Sequence, residues 1–355
     1  MNAIERTMLT LQHKIPDRVP VNQYNFLVTA RLMGVSSFAD FFRDGQAMAE
    51  GQIKAWQRFG QDIVTLENGT AALAEACGVN VVYQSETAPV AKEPAIKSLA
   101  EVDKLKLPDP YKDPLLKELL KATRIVAEQI GDKACIEGRA DQGPFSLACE
   151  IRGMTEFMMD LAVGEQEDKI HQLLEYCLQA SYRYAVAQIE QGAHFTSIGD
   201  SPSGPDMLSP RFYRKYAYPY VKRLVSDLKA RGILLSYHIC GNATPIVQDM
   251  VDSGAAILEL DQKADMRLSK VAAQGKTTIM GPIDPSGVLA QGTPELVRQK
   301  SREAIEILAP GGGFILSSGC ALPATTPDEN IAAMIEVAKQ HQYRILTLKL
   351  QESDN

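Results

Sequence analysis

Short β-rich segments alternate with longer amphipathic stretches along the whole chain. This alternation is typical of βα units, in which helices cover the strands of a parallel sheet. Eight strands are predicted, each followed by a helix, at residues 19–23, 62–67, 134–139, 195–200, 233–240, 256–260, 277–281 and 313–317. Eight such units predict an α/β fold, the (β/α)8 TIM barrel.

The chain has 355 residues, which suits one elaborated barrel, so we expect a single domain over residues 1–355. After the second predicted strand, residues 79–98 alternate β-type residues with proline and charge breaks, which predicts an inserted hairpin over one end of the barrel. A helix is predicted to follow at about residues 114–130, and another long helix at residues 211–230. The polar residues 350–355 are expected to fray.

The composition is that of a globular protein, with 45% hydrophobic and 23% charged residues. The formal net charge of -7 makes nucleic acid an improbable partner, because an acidic surface repels phosphate. The chain shows neither an apolar segment like that of a secretory signal nor an apolar run approaching the length of a membrane span. We therefore expect a cytoplasmic protein without a membrane partner.

Six cysteines are widely spaced along a large chain, which makes a disulfide framework improbable. Cys77, Cys149 and Cys177 fall within helix-like apolar patterns, so we expect them to be buried structural thiols. Cys240 and Cys320 differ, because each lies at the end of a predicted strand. These two thiols are therefore candidates for chemistry.

His238 and Cys240 are two residues apart near the end of the fifth predicted strand, so their side chains share one face. Cys320 follows the eighth strand, and in a barrel all strands open their C-terminal ends on the same face. One nitrogen and two sulfurs suit Zn²⁺, and three protein ligands would leave a fourth position open, as in catalytic sites. Spacing alone leaves another interpretation open, a buried histidine with two inert thiols.

Four sequence blocks carry further information: RTMLTLQHKIPDRVPV (residues 6–21), SYHICGN (236–242), GPIDPSG (281–287) and GGGFILSSGCALPATTPDEN (311–330). They resemble the uroporphyrinogen decarboxylase superfamily, in its zinc-dependent corrinoid methyltransferase branch, which includes the methylcobalamin:coenzyme M methyltransferases. The resemblance covers essentially the whole chain, and its most specific part is the pattern of His238, Cys240 and Cys320. It implies that these three residues bind zinc.

The decarboxylases of this superfamily act on a substrate with eight carboxylates and carry a basic cluster after the first strand. Here the corresponding residues are Asn22, Gln23, Tyr24 and Asn25. Arg31 is the only lysine or arginine between Arg18 and Arg43. An active-site entrance with so few positive charges would neutralise a polycarboxylate substrate poorly. Uroporphyrinogen decarboxylation is therefore a minor alternative.

The resemblance implies a methyltransferase that moves a methyl group between a corrinoid (methylcobalamin) and a small substrate. The preferred substrate is a thiol acceptor held as a zinc thiolate, since two cysteine ligands favour a reactive thiolate over a strongly polarising metal. A demethylase that takes methyl from a methoxy-aromatic or a methylamine is the alternative, and a non-catalytic barrel with a closed four-ligand zinc site is another. The chain shows no cobalamin-binding motif, so we expect the corrinoid on a partner protein docked at the C-terminal face of the barrel.

Further polar residues lie at strand ends and are candidates for completing the site. The carboxylates among them are Glu67, Glu137, Asp200, Glu259 and Asp284. Glu137 and Asp200 are the preferred catalytic candidates, each as a fourth zinc ligand or as the hydrogen-bond acceptor of the ligand histidine. Asn242 is expected to orient substrate or to cap the next helix, and Glu259 and Asp284 are predicted to contact the cofactor. Any of these carboxylates could instead be a solvated rim charge or a helix cap.

Overall fold

The computed structural model describes residues 1–343; residues 344–355, which include the segment predicted to fray, lie outside the described residues. In chain order the strands are β1 (Ile63–Leu66), β2 (Asn80–Val82), β3 (Val90–Glu93), β4 (Cys135–Gln142), β5 (Phe195–Gly199), β6 (Leu235–Ile239), β7 (Ile257–Leu260), β8 (Thr278–Ile283) and β9 (Phe314–Ser318). Strand β1 and strands β4 to β9 form one parallel sheet in that order. Seven of the eight predicted strands are thus confirmed.

The eighth position of the barrel is filled by the extended segment around Val21, which lies between β9 and β1. Val21 forms a parallel bridge with Leu316, and its carbonyl accepts a hydrogen bond of 3.3 Å from the Ile63 N–H. The predicted strand at residues 19–23 is reduced to this bridge because Pro20 has no N–H to give to a ladder. These bonds close the sheet into the predicted (β/α)8 barrel.

A buried carboxylate fixes this closing segment to the sheet. Asp62, just before β1, accepts hydrogen bonds from the Val21 N–H at 3.0 Å and from the guanidinium groups of Arg6 and Arg18, each at 2.7 Å. The Asp62 side chain is only 3% exposed, so its charge depends on these partners rather than on water. Arg6 also pairs with Asp17 at the surface.

Helices follow the strands around the outside of the barrel. They are α1 (Ala3–Leu11), α2 (Phe26–Met33), α3 (Phe38–Phe41), α4 (Gly45–Phe59), α5 (Ala72–Ala76), α6 (Leu116–Ile130), α7 (Pro144–Arg152), α8 (Met154–Val163), α9 (Glu167–Glu190), α10 (Pro210–Phe212), α11 (Tyr218–Lys229), α12 (Val247–Asp252), α13 (Met266–Ala273), α14 (Pro294–Leu308) and α15 (Asp328–Gln340). The predicted hairpin is β2 with β3, and the helix predicted after it is α6. No helix within residues 1–343 is both long and apolar enough to span a membrane.

The helix predicted over residues 211–230 is interrupted. It begins as predicted, with the Ser209 side chain capping α10, but the turn Tyr213–Ala217 widens to a π-helix before α11. The cause is Pro219, which lacks an N–H for the carbonyl of Lys215 and would crowd it in a regular helix. The prediction of one continuous α-helix was therefore wrong at this turn.

Candidate metal centre

The barrel interior changes from apolar to polar toward the C-terminal ends of the strands. The apolar layer, further from these C-terminal ends, includes Tyr24, Ile63, Cys135, Phe195, Ile257, Met280 and Ile315. Residues two apart on a strand share one face, and two positions further along five of these strands stand the buried polar residues Thr65, Glu137, Ser197, Glu259 and Ser317. The strand sequences themselves therefore build a polar chamber at the end where barrel active sites lie.

Three residues at this end bring nitrogen and sulfur atoms together. His238 lies in β6, Cys240 follows that strand, and Cys320 follows β9. The His238 Nε2 is 3.0 Å from the Cys240 Sγ, which is 3.8 Å from the Cys320 Sγ, and all three atoms lie within 4.8 Å of one another. Within residues 1–343, this is the one group of three or more His, Cys, Asp or Glu side chains whose possible ligand atoms all lie this close together.

The orientation of His238 leaves its Nε2 free to bind a metal. Its Nδ1 lies 3.0 Å from the backbone carbonyl oxygen of Glu259 and donates its proton to that oxygen. This hydrogen bond fixes the tautomer and turns the Nε2 lone pair toward Cys240. The backbone N–H of Cys240 donates to Ser201 Oγ at 3.2 Å, which holds the chain where the strand ends.

The spacing of the two sulfurs fits a tetrahedral zinc ion. Zn–S bonds of about 2.3 Å at the tetrahedral angle place two thiolate sulfurs about 3.8 Å apart. The Cys240 and Cys320 sulfurs are 3.8 Å apart. One imidazole and two thiolates are also the ligand types that zinc prefers. The spacing of the two sulfurs and the ligand types therefore fit zinc, whereas the 3.0 Å between His238 Nε2 and Cys240 Sγ would have to widen to about 3.5 Å around the ion.

Proton sharing within the cluster makes one of its two cysteines a thiolate, while a metal would displace the protons of Cys320 and of the His238 Nε2. The hydrogen bond from the Cys320 thiol, together with the neighbouring His238, lowers the pKa of Cys240 to about 3. The same bond raises the pKa of Cys320 well above its usual range. Burial opposes a charged imidazole, but the Cys240 sulfur outweighs it and raises the pKa of His238 to about 9. One thiolate is thus already formed, and thiolates are the form that binds metal.

The cluster opens into a cavity of about 190 Å³ at the C-terminal end of the barrel. Its wall is mainly aromatic, small and polar, and it is formed by Tyr24, Phe26, Glu67, Gly69, Thr70, Ala88, Arg139, Gln142, Gly199, Ser201, Pro202, Glu259 and Ala321, with the three cluster residues. Ala88 comes from the loop of the inserted hairpin, which was predicted to lie over one end of the barrel and contributes to the cavity wall. The space suits a small molecule rather than a macrocycle.

A buried ion pair lies beside the cluster. Arg139 Nη1 is 3.4 Å from Glu259 Oε2, and Ser236 donates to the other carboxylate oxygen at 2.6 Å. The neighbouring Gly199 leaves room for the guanidinium, because a Cβ there would lie 2.5 Å from Arg139 Nη2. Glu259 therefore positions His238 through its backbone carbonyl and balances Arg139 through its side chain.

Glu137 lies behind the cavity in the barrel core. Its Oε2 accepts hydrogen bonds from Thr65 Oγ1 at 2.6 Å and from Asn22 Nδ2 at 3.2 Å, and the side chain is fully buried. Burial and then the charge of Glu259 raise the pKa of Glu137 to about 8. Glu137 does not line the cavity formed in part by His238, Cys240 and Cys320. A direct catalytic role therefore stays a prediction, without support from its position.

We expect Glu137→Gln to weaken the pH dependence of stability. A carboxyl whose folded pKa is raised to about 8 stabilises the protein at low pH, and this contribution is lost as the pH rises from about 4 to 8. Glutamine does not ionise, so relative to wild type the variant should gain about 3 kcal/mol of unfolding free energy between pH 5 and 8. Urea denaturation at several pH values measures this difference. Glu128→Gln, at a surface position, is the control, and equal slopes in wild type and Glu137→Gln would reject the expectation.

Three of the predicted site residues stand outside the cavity and cap backbone turns. The Asp200 Oδ1 accepts from the Ser146 N–H at 2.7 Å at the start of α7, and the exposed Asn242 accepts from the Thr244 N–H at 3.2 Å. Asp284 caps the π-helical turn Pro285–Ala290 with two bonds of 2.9 Å from backbone N–H groups. The structure thus gives Asp200, Asn242 and Asp284 structural contacts, and their predicted catalytic or cofactor roles find no support in these positions.

Two residues that line the cavity, Glu67 and Arg139, were not predicted as site residues from the sequence. Arg139 was not singled out, and Glu67 was noted at a strand end but not selected for the site. Both follow the alternation that places Thr65 and Glu137 inside the barrel, whereas Asp200 follows Gly199 on the opposite parity. Counting parity from the apolar layer would have selected Glu67 and Arg139 and set Asp200 aside. The prediction that Cys77, Cys149 and Cys177 are buried is confirmed.

A sequence model of the family described as uroporphyrinogen decarboxylase (URO-D) matches residues 2–341. The chain belongs to this family. This uroporphyrinogen decarboxylase family member is 30% identical to the methylcobamide:CoM methyltransferase MtbA of Methanosarcina mazei, over 96% of this chain and 98% of the relative. It is 26% identical to MtaA of Methanosarcina barkeri, over 95% and 97% of the two chains. The resemblance predicted from the sequence blocks is confirmed.

Decarboxylases within the family are also similar to this chain. The uroporphyrinogen decarboxylase of Synechococcus sp. (strain JA-3-3Ab) is 29% identical over 82% of this chain and 79% of the relative. A solved structure of a methyltransferase from Methanosarcina mazei superposes with a TM-score of 0.87, covering 96% of this family member and 98% of that chain at 23% identity. This superposition confirms the barrel fold.

Proposed function

We propose that this protein is a zinc-dependent methyltransferase that moves a methyl group between a corrinoid and a small substrate, with a thiol as the preferred acceptor. The observation that carries the proposal is the group of His238, Cys240 and Cys320 at the cavity, with donor atoms within 4.8 Å of one another. The methylcobamide:CoM methyltransferases, which match nearly the full chain, support the same chemistry.

His238, Cys240 and Cys320 would hold the zinc, since the spacing of the two sulfurs and the donor types fit it. Bound there, zinc would supply the positive charge that keeps a thiol substrate as a thiolate at neutral pH. Glu259 keeps Nε2 of His238 available by accepting the Nδ1 proton on its carbonyl oxygen. Tyr24, Phe26, Pro202 and Ala321 line the cavity and give its wall apolar surface.

In the transfer itself, the carbon–sulfur bond forms as the carbon–cobalt bond breaks and both electrons of that bond stay on cobalt. The thiol proton has left before this step, since the thiolate is the nucleophile. The cavity of about 190 Å³ holds a small substrate but not a corrin ring. We therefore propose that the corrinoid stays on a partner protein, which docks at the C-terminal face where the cavity opens.

A transfer assay with free methylcobalamin tests the proposal. The protein is incubated with a panel of thiols, methoxy-aromatics and methylamines, and bound zinc is quantified in the same samples. We expect a thioether from a thiol, in proportion to bound zinc, loss of transfer after chelation and recovery when zinc is restored. Transfer that survives complete removal of zinc would contradict the proposal. In a parallel assay that supplies reduced cob(I)alamin in place of methylcobalamin, methyl transfer from a methoxy-aromatic or methylamine to the corrinoid would favour the demethylase alternative.

Uroporphyrinogen decarboxylation is less well supported, although decarboxylases are among the relatives. Among the described residues, Arg139 is the only lysine or arginine that lines the cavity, and it is paired with Glu259. A substrate with eight carboxylates would find little positive charge there. Turnover of a porphyrinogen would reverse this preference. A cytoplasmic location and a single domain over residues 1–355 stay predictions.

A further inference from the structure

Glu67 is a carboxylate without a protein partner in the proposed substrate cavity. It follows β1 directly and lines the cavity, and no residue in the part of the chain that the structure describes gives it a hydrogen bond or a salt bridge. The two other glutamates of this region do have such partners, Thr65 for Glu137 and Ser236 for Glu259. Of the two glutamates that line the cavity, Glu67 is therefore the one whose hydrogen-bonding capacity is left for a ligand.

The position of Glu67 differs from that of a metal ligand. Its carboxylate does not belong to the group of atoms within 4.8 Å of one another that His238, Cys240 and Cys320 form. It nevertheless lines the same cavity of about 190 Å³ as these three residues. A small substrate bound to the metal cluster could thus extend toward Glu67.

The charges around the cavity leave Glu67 in excess. A divalent ion with two thiolates and a neutral imidazole has no net charge, so the loaded cluster contributes none. Arg139 and Glu259 form an ion pair and cancel each other. Glu67 is a second carboxylate near the same guanidinium, so the cavity carries one more negative charge than positive charge, and burial, only partly offset by Arg139, raises the pKa of Glu67 to about 7. A carboxylate in such a place gains most from a positively charged partner.

We infer that Glu67 determines substrate specificity by binding a positively charged group on the substrate, so that the preferred acceptor is an aminothiol rather than the sulfonate-bearing coenzyme M. This inference rests on the proposed function. The thiol end binds at the metal cluster while the ammonium end pairs with Glu67. An anionic tail in the same place would lie beside an unbalanced carboxylate, which is unfavourable in a site with little water.

Arg139 is the group that could favour the opposite charge. It contacts Glu259 and Ser197, each at 3.4 Å, and the carboxyl groups of Glu259, Glu67 and Glu137 all help to keep it protonated. Its positive charge is thus already matched by carboxylates before a substrate arrives. An anionic substrate that approached Arg139 would meet the negative charges of Glu259 and Glu67 near the same guanidinium, and Glu259 is also the residue that orients His238.

Calorimetric titration of the zinc-loaded protein with three thiols tests the inference without turnover. Cysteamine carries an ammonium group, 2-mercaptoethanol is neutral and coenzyme M carries a sulfonate. Wild type should bind cysteamine best and coenzyme M least. Glu67→Gln should weaken cysteamine binding about tenfold, leave 2-mercaptoethanol within about twofold and strengthen coenzyme M. Each thiol is compared between the two proteins, which cancels differences in thiol acidity.

Glu86→Gln is the matched control, because Glu86 is exposed in the hairpin loop and does not line the cavity. It should leave all three affinities unchanged. The inference is overturned if wild type binds coenzyme M most tightly, if Glu67→Gln weakens all three thiols equally, or if Glu67→Gln loses zinc and so marks Glu67 as a ligand. The charge order in wild type tests the inference even if the variant does not fold.

Binding and transfer together separate this inference from the proposed function. If the thiols bind in the expected order but receive no methyl group from methylcobalamin, the proposed function fails and the role of Glu67 stands. If methyl transfer occurs with coenzyme M preferred over cysteamine, the function stands and the role of Glu67 fails.

Discussion

Cys320→Ala is expected to abolish zinc binding and to lower the rate of methyl transfer by about a thousandfold or more, as loss of a catalytic metal does. The remaining His238 and Cys240 give only two ligands, too few for a stable zinc site of this kind. Zinc content by mass spectrometry and thioether formation from methylcobalamin are measured on the same samples. Cys240→Ala should have the same effect, and the double variant should be no worse than either single one.

Cys177→Ala is the control for this experiment. Cys177 is also a buried thiol, but it packs within α9 away from the cavity. Alanine removes one small group from the core there, so we expect a modest loss of stability and full retention of zinc. If Cys320→Ala keeps its zinc, or if both variants lose activity to the same extent, the three-ligand site is wrong.

The metal cluster could be predicted from the sequence because it depends on two regular properties of the fold. His238 and Cys240 are two residues apart on a strand and therefore share a face, and the ends of parallel barrel strands meet at one rim. Neither property depends on loop conformation. The same regularity explains why seven strands of the sheet lie where the apolar runs predicted them.

The other site residues were harder to predict because backbone groups compete for polar side chains at strand ends. A carboxylate at a strand end either faces the cavity or caps the next helix, and the two choices look alike in a sequence. Asp200 took the second choice and Glu259 the first. Strand parity separates these two, but it fails for Asn242, because Gly241 turns the chain with a φ of +83°.

The closing segment of the barrel was predicted as a full strand, and the structure shows why it needs another source of stability. Pro20 limits the ladder to a single bridge at Val21, so regular strand pairing is scarce there. Asp62 supplies the missing attachment through a backbone N–H and two arginines. This attachment also matters for the cavity, because the same segment carries Asn22 to Glu137 and Tyr24 to the cavity wall.

We therefore expect Asp62→Ala to lower the free energy of unfolding by about 3–5 kcal/mol, because it leaves the largely buried Arg18 without a counter-charge and Arg6 with Asp17 as its remaining carboxylate partner. Asp17→Ala is the matched control, since Asp17 also pairs with Arg6 but is 42% exposed. Water can replace that partner, so the loss should stay within about 1 kcal/mol. Urea denaturation of both variants at one pH measures the difference. Equal losses would mean that burial does not distinguish the two pairs and that the barrel closes without Asp62.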